Sequence, residues 1–261
     1  MLFPKGRPVV VSSHQRSGTH LLIDLLRRQF AELSAWKLPF NNNSRLYYTY
    51  GQLIRDEWSS KKVRGTQYPI VKIHDDIQCV LSGVNDEYPK SAKEVARWLN
   101  DTGLLFLHVV RDGRDVFPSF HRMRKGTHSD ADCSLSEFIR QRDMDMSRVR
   151  VWATKVRSAL EDPNVHVIKY EDIVSRTEYV VENLAEKLDM EPRRVTPLLP
   201  PRVQSAWQGR FARVFQIRPS NTNILGDTSA PLEKWAEVTS PRDLEFFNKE
   251  SGSLLDDLGY T

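Results

Sequence analysis

The segment from Val9 to Phe30 constrains the fold of this chain more than any other. Three consecutive valines, Val9 to Val11, form an apolar run typical of a parallel strand that is buried on both faces. Leucines between Leu21 and Leu26 then recur at helical spacing. The small residues Ser17 to Thr19 lie between the two patterns. The segment therefore predicts a strand, a tight turn and a helix in direct succession.

The predicted turn has the chemistry of an anion-binding site. Gly18 allows the backbone to approach an anion closely, and the first N–H groups of a helix have no partner within that helix. The positive end of the helix dipole favours a phosphate, and Arg16 adds a permanent charge. A Walker loop requires a lysine after its second glycine, whereas Thr19 and His20 follow Gly18. The turn predicts a phosphate site of another kind, with a purely structural turn as the alternative.

A second strand, turn and helix are predicted over Leu104 to Lys125. Arg111 stands where the apolar run ends, and Ser119 follows it on the predicted helix. A guanidinium can bind a phosphate through two parallel hydrogen bonds, and a hydroxyl on a helix supplies a further donor. The segment predicts a second phosphate contact. A structural ion pair between Arg111 and Asp115 is the alternative.

A third apolar strand, near residues 69–73, carries Lys72 and is followed by His74. Residues two apart on a strand share a face, so both side chains emerge near the C-terminal end of that strand. Ligands bind at this end of the strands in open parallel sheets. An imidazole, whose unperturbed pKa is about 6.5, suits proton abstraction at neutral pH. The pair places an imidazole suited to base work beside a cation, with a structural histidine as the alternative.

Together these segments resemble those of sulfotransferases that use 3′-phosphoadenosine 5′-phosphosulfate (PAPS). The turn from Arg16 to Thr19, RSGT, is similar to their phosphosulfate loop, which reads PKSGT or PRSGT. Arg111 to Ser119, RDGRDVFPS, resembles their 3′-phosphate signature R-[ND]-P-x-D-x-x-x-S, with Gly113 where proline is usual. Val71 to His74, VKIH, is similar to their VKTH element.

Two further likenesses extend over nearly the whole chain. Val165 to Ile173, VHVIKYEDI, resembles the family's strand that ends in YED, whose tyrosine reaches the adenine edge. Phe215 to Trp235 resembles the C-terminal loop RKGxxGDWK, although Pro219 and Ser220 stand where lysine and glycine are usual. Arg218 matches the arginine of that loop.

The resemblance implies a role for each matched residue. His74 is the expected catalytic base, while Lys72 and Arg16 are expected to stabilise the leaving phosphate. PAPS is the expected sulfuryl donor, and no metal is expected. The implied nucleotide contacts are Arg16, Ser17, Gly18, Thr19, His20, Arg111, Ser119, Tyr170 and Arg218. Cytosolic members stack adenine on a tryptophan where this chain has Leu21. Trp207 is an alternative stacking candidate, although a buried core tryptophan is the favoured interpretation.

Alternation of strands and helices sets the expected fold class. Strands are predicted near residues 8–13, 69–73, 104–110 and 164–169, and helices over Thr19 to Phe30, Ser91 to Leu99, Ser134 to Leu160 and Thr177 to Leu188. This order predicts an α/β, P-loop-like three-layer fold with a mostly parallel central sheet flanked by helices. The 261 residues are interpreted as one domain, 1–261.

Charge and cysteine content restrict the other classes of function. The net charge of +4 comes without an RNP motif, a zinc finger or a basic tail, so no nucleic-acid partner is expected. Arg122, Arg124 and Lys125 are interpreted as a solvated helix face or as the rim of the nucleotide site. Cys79 and Cys133 fit ordinary reduced thiols. No apolar run is long enough to span a bilayer and no signal core opens the chain, so a cytoplasmic location is expected.

The acceptor is less constrained than the donor. Phe40 to Trp58 mixes asparagines with tyrosines, including Tyr50, which suits a small-molecule or carbohydrate acceptor, with a surface loop as the alternative. The oligomeric state stays open. Two other functions are considered: a small-molecule kinase, which the missing Walker lysine opposes, and a non-catalytic nucleotide-binding scaffold on the same fold.

Overall fold

The computed structural model describes residues 7–33, 48–50, 69–74, 90–143, 145–199, 235 and 239–260. Arg218, Trp207, Cys79 and most of the predicted acceptor segment lie outside these residues. Along the chain the elements are β1 (Val9–Ser13), α1 (Thr19–Gln29), β2 (Tyr48–Thr49), β3 (Ile70–Ile73), α2 (Lys90–Asp101), β4 (Leu105–Val110), α3 (Gly113–Arg124), α4 (Leu135–Arg140), β5 (Arg142–Asp143), β6 (Met146–Ser147), α5 (Arg148–Glu161), β7 (Val165–Lys169), α6 (Tyr170–Ser175), α7 (Thr177–Leu188), α8 (Pro241–Ser251) and α9 (Leu254–Asp257). No helix of the described residues is long and apolar enough to cross a membrane.

Five strands of the described residues form one parallel sheet in the order β2-β3-β1-β4-β7. Val9 of the central strand is in register with Ile70 on one side and Leu105 on the other. Every residue of β1 and β4 is buried, as the continuous apolar runs predicted. The predicted α/β class, with a parallel sheet flanked by helices, is confirmed.

Helices cover both faces of this sheet. Val9 and Val11 pack in one core cluster with side chains of α1 and α7, while Val10 packs on the opposite face with side chains of α2 and α5. The alternation follows from the pleat, because successive strand residues point to opposite faces. The strands are parallel, so the turns after β1, β3, β4 and β7 all lie at one edge of the sheet.

The single long helix predicted over Ser134 to Leu160 is wrong. The structure has two helices there, α4 and α5, separated by the antiparallel hairpin of β5 and β6. Asp145 lies in this hairpin at φ +63°, a left-handed conformation that cannot continue an α-helix. Each helix has its own cap: Ser134 forms a capping box with Glu137, and Ser147 caps α5.

Other sequence expectations differ from the structure in smaller ways. Helix α2 begins at Lys90, one residue before its predicted start at Ser91, and ends at Asp101, two residues after its predicted end at Leu99. The predicted acceptor segment contributes the edge strand β2, and Tyr50 is only 3% exposed in the core beside Val10 and Val71. Tyr50 is therefore a core residue and not part of an acceptor surface. Helices α6, α8 and α9 were not predicted.

Candidate active site

A cavity of about 310 Å³ opens at the edge of the sheet where the parallel strands end. Its lining comes from the turn after β1, the end of β3, and the residues that follow β4 and β7. The predicted site residues that line it are Arg16, Gly18, Thr19, His20, Lys72, His74, Arg111 and Tyr170. Ser17 is buried in the same turn, and Ser119 contacts the site through Arg16. The structure thus brings together every predicted site residue that it describes.

The turn after β1 is held in an unusual backbone conformation. Arg16 has φ +73° and Gly18 has φ +106°, and the Ser17 N–H donates to the His14 carbonyl at 3.2 Å. Gly18 is the N-cap of α1, and no side-chain oxygen caps this helix. The first N–H groups of a helix lack partners within the helix, so this end of α1 is suited to an anion. Burial lowers the pKa of the Arg16 guanidinium.

The two predicted phosphate segments contact each other. Arg16 Nε donates a hydrogen bond to Ser119 Oγ at 3.1 Å, which joins the turn after β1 to helix α3. Arg111 pairs with Asp115 at 3.2 Å, and its guanidinium lies 4.4 Å from the centre of the Tyr170 ring. The ion pair that was the alternative role of Arg111 is therefore present. However, Arg111 Nε is buried and has no hydrogen-bond partner among the described residues, so a donor remains for an anion.

Packing explains why residue 113 is glycine in this chain. A Cβ atom there would lie 2.5 Å from Phe247 Cζ and 2.9 Å from Trp152. Both rings belong to the core between α3, α5 and α8, so neither can move aside without opening that core. Asp112 caps α3 from the preceding position and also binds the Arg114 guanidinium. The helix that carries Ser119 is thereby fixed at its first residue.

His74 has a defined tautomer. Its Nδ1 atom lies 2.9 Å from the Ser13 carbonyl, and because a carbonyl only accepts, Nδ1 must carry the proton. The lone pair of the neutral ring is therefore on Nε2. Lys155 of α5 donates from Nζ to the backbone carbonyl of His74 at 3.2 Å, a contact that the sequence did not reveal.

Lys72 and His20 form a second polar pair in the cavity. Lys72 Nζ donates to His20 Nε2 at 3.0 Å. Burial lowers the pKa of Lys72 to about 8, so the ammonium still carries most of its charge at pH 7. Burial, with a smaller contribution from the Lys72 charge, lowers the pKa of His74 to about 4. At neutral pH the site therefore holds an unprotonated imidazole beside a cation, which is the state that a general base requires.

Acid is expected to destabilise the fold between pH 6.5 and pH 4. Burial lowers the pKa of His14 and His20 to about 3, and that of His74 and His108 to about 4. The unfolded chain therefore binds more protons below pH 6.5, and each histidine removes up to about 1.4 kcal/mol of unfolding free energy per pH unit. Urea unfolding at several pH values measures this loss. A midpoint that is unchanged between pH 6.5 and pH 5 would contradict it.

A second cavity, of about 200 Å³, shares Gln15 and His74 with the first. Among its described lining residues, Phe120 and Val151 are apolar and four are charged: Arg124, Asp130, Arg148 and Lys155. Arg124 lines this second cavity, where it binds Asp130. Its neighbours Arg122 and Lys125 are exposed, which fits the interpretation of this charge run as a solvated helix face or a rim of the nucleotide site.

Among the described residues, no group of three or more histidine, cysteine, aspartate or glutamate side chains could hold a metal ion. The predicted absence of a metal from the reaction stays a prediction. The chemistry that the described cavity offers is anion binding, an unprotonated imidazole and a half-buried ammonium.

Comparison with known proteins agrees with this geometry. The family model described as the sulfotransferase domain matches residues 7–200. No curated protein matches the chain at a significant level. Among solved structures, a mouse sulfotransferase complexed with PAP is 14% identical, with 97% of this chain and 86% of that chain covered and a TM-score of 0.57. The sulfotransferase domain from the curacin biosynthetic pathway is 16% identical, with 100% and 99% covered and a TM-score of 0.50.

A retinol dehydratase in a complex with retinol and PAP is 14% identical, with 98% of this chain and 83% of that chain covered and a TM-score of 0.50. At such low identities these three structures show a shared fold and nothing finer. The family model is the comparison that bears on the kind of chemistry, because it covers most of the chain.

Proposed function

This chain belongs to the sulfotransferase domain family, and we propose that it transfers the sulfuryl group of PAPS to a hydroxyl or amine of a small-molecule or carbohydrate acceptor. The observation that carries this proposal is the position of His74 and Lys72 beside the uncapped N-terminus of α1, in one cavity. The PAP complexes of the mouse sulfotransferase and retinol dehydratase support PAPS as the donor, since adenosine 3′,5′-bisphosphate (PAP) is what remains of PAPS after transfer.

The two phosphate-binding groups of the cavity account for the two ends of the donor. Arg16 and the backbone N–H groups of Ser17 to Thr19 would hold the 5′-phosphosulfate at the start of α1, with His20 beside them. Arg111 and Ser119 would hold the 3′-phosphate, and the unpartnered Nε of Arg111 fits such an anion. Tyr170 lies against Arg111 at the same place, where it can contact the nucleotide. A 3′-phosphate contact of Arg218 is proposed from the sequence alone.

In the proposed reaction, His74 Nε2 accepts the proton of the acceptor hydroxyl or amine. The acceptor atom attacks sulfur in line with the bridging oxygen, so a new bond to sulfur forms while the bond from sulfur to the 5′-phosphate oxygen breaks. Lys72, Arg16 and the first N–H groups of α1 stabilise the charge that develops on the departing phosphate. The Ser13 carbonyl holds the imidazole in the tautomer that this step requires.

The kinase alternative lacks support in this site. In a Walker loop a lysine and then a magnesium-binding hydroxyl follow the glycine, whereas here Thr19 and His20 follow Gly18, and the Thr19 hydroxyl is hydrogen-bonded to Ser13 Oγ. A scaffold without catalysis would leave the unprotonated base and the adjacent ammonium without a use. An assay of sulfate transfer from PAPS to an acceptor distinguishes such a scaffold from an enzyme.

The Arg111→Ala variant tests the donor assignment. We expect it to weaken PAP binding by about 1.5 to 3 kcal/mol, the range for a charged hydrogen bond, with little effect on AMP. Calorimetry with PAP and AMP measures both affinities. The wild-type protein should be stabilised against heat by PAP without metal more than by ATP with magnesium.

Arg97→Ala is the matched control for that experiment, because it removes the same charge from an exposed position on α2. Its affinities for PAP and AMP should equal those of the wild type. Equal losses for both nucleotides in Arg111→Ala would contradict the 3′-phosphate assignment. A preference for ATP with magnesium would instead support a kinase.

We also propose that residues 1–261 form one domain, although the family model ends at residue 200. Helices α8 and α9 support this, because Phe247 packs against Trp152 and Tyr260 Oη donates to Glu171 at 2.7 Å. These contacts join the C-terminal residues to α5 and to α6. The cytoplasmic location stays a prediction.

A further inference from the structure

The second cavity lies next to the nucleotide cavity, with His74 between the two. A group bound in the second cavity would therefore face the donor. The second cavity shares only Gln15 and His74 with the nucleotide cavity among the lining residues that the structure describes. A base must lie within hydrogen-bond reach of the proton it removes, so the reacting hydroxyl or amine must also lie beside this imidazole. The second cavity is therefore in position to hold the rest of the acceptor.

The charged residues that the structure describes in this lining are mostly cationic. Arg124, Arg148 and Lys155 contribute three positive charges, and Asp130 contributes one negative charge. Hydrogen bonds from Arg148 and Arg124 lower the pKa of the Asp130 carboxyl, so it remains ionised at neutral pH. The described lining residues thus carry a net charge of about two positive units at pH 7. A pocket built for an uncharged apolar acceptor would be lined mainly by hydrophobic and aromatic side chains.

The cations are held in place before any ligand binds. The Arg148 guanidinium lies 3.9 Å from the centre of the Phe138 ring and donates to Asp130 at 2.6 Å. Arg124 donates to both oxygens of the same carboxylate, at 3.2 and 2.8 Å. A guanidinium has five N–H donors, so these bonds leave donors on each arginine for a ligand. Lys155 is fixed at the boundary by its bond to the His74 carbonyl.

We propose, on the basis of the function proposed above, that the second cavity binds the acceptor and selects one that carries an anionic group. Arg124, Arg148 and Lys155 would bind a carboxylate, sulfate or phosphate of the acceptor while its hydroxyl or amine lies at His74. The clustered positive charge also attracts such an acceptor during diffusion. This geometry identifies a class of acceptor that the motifs of the chain do not reveal.

The test compares two probes that differ in one charge, 3-(4-hydroxyphenyl)propanoate and its methyl ester. Both are titrated into the protein saturated with PAP, and their affinities are measured by calorimetry. The acid is expected to bind about 10-fold more tightly than the ester, as one charged hydrogen bond would produce. Methyl glucuronide and methyl glucoside form a second pair for a carbohydrate acceptor.

Two variants are expected to change the preference for the acid in opposite directions, and a third variant is the control. Arg148→Gln should reduce the preference for the acid to about 1, whereas Asp130→Asn should increase it severalfold, because it removes the negative charge of the cavity. General damage to the fold would lower the preference for the acid in both variants. Arg150→Gln is the matched control: it removes a charge from the same helix at an exposed residue that pairs with Glu250 and does not line the cavity.

Each result has a distinct meaning. An acid preference that falls in Arg148→Gln and rises in Asp130→Asn supports the inference. Equal affinity for acid and ester in both pairs, or no binding of any probe to the PAP-bound protein, overturns it. A preference that neither variant changes also overturns it and leaves the Arg124, Asp130 and Arg148 cluster as a structural ion pair network. Failure of PAP itself to bind would instead overturn the proposed function.

Discussion

His74→Ala is expected to lower sulfuryl transfer by at least about 100-fold, the low end for loss of a general base, while PAP binding stays nearly unchanged. The reason is geometric. The Ser13 carbonyl holds the proton on Nδ1, so Nε2 is the nitrogen that can receive the acceptor's proton. The low pKa of about 4 keeps that nitrogen unprotonated at neutral pH. Single-turnover measurements with PAPS report the chemical step, and calorimetry reports the affinity for PAP.

The control for this variant is His128→Ala, which replaces an exposed histidine in the loop after α3 and should retain wild-type turnover. Wild-type turnover in His74→Ala, under conditions where chemistry limits the rate, would remove His74 as the base. His14, His20 or a residue of the acceptor segment would then be the candidates. His20 is the weaker of the two histidines, because its Nε2 already accepts a hydrogen bond from Lys72.

Gly18→Val is expected to abolish measurable PAP binding, a loss of roughly 100-fold or more that combines backbone strain with a steric clash. Gly18 has φ +106°, which L side chains rarely adopt. A Cβ atom there would lie 2.5 Å from Tyr170 Cδ2, and that ring in turn packs against Arg111. The substitution therefore disturbs the turn after β1 and the 3′-phosphate contact together. Calorimetry with PAP measures the loss, and circular dichroism checks the fold.

Gly103→Val is the matched control for Gly18→Val. Gly103 also has a left-handed backbone, at φ +61°, but a Cβ atom there would meet nothing within 4 Å. This variant carries backbone strain without a clash in the site, so it should bind PAP like the wild type even if its melting temperature falls. A folded Gly18→Val protein with normal affinity for PAP would exclude the turn after β1 from the nucleotide site.

Local patterns predicted the central sheet well and the helices less evenly. The four long strands and the helix Thr177–Leu188 match their predictions, because an apolar run or a helical period is complete within one element. The prediction of one helix over Ser134 to Leu160 was wrong for the opposite reason. The apolar residues of this segment continue at helical spacing on both sides of Asp145, and the period does not report the left-handed residue that breaks the helix.

The candidate site was likewise predicted only in part. The turn from Arg16 to Thr19 and the pair of Lys72 and His74 were predicted, and the structure places them in one cavity. The contact of Lys155 with His74 was not predicted, since these residues are 81 positions apart and no motif links them. The bond between Arg124 and Asp130 was not predicted either, because a charge run on a helix does not indicate which neighbour it faces.

By itself, the sequence determined the parallel α/β architecture, the anion-binding turn and the strand that carries Lys72 and His74. Backbone propensity, glycine geometry and strand alternation act over a few residues, so these features can be predicted from short segments. Only the tertiary structure decided which nitrogen of His74 holds the proton, and which charged side chains surround the second cavity. Those properties depend on contacts between residues far apart in the chain, such as His74 with Ser13, which are 61 positions apart. The packing of α3 and α5 beside the sheet brings the cations of the second cavity together.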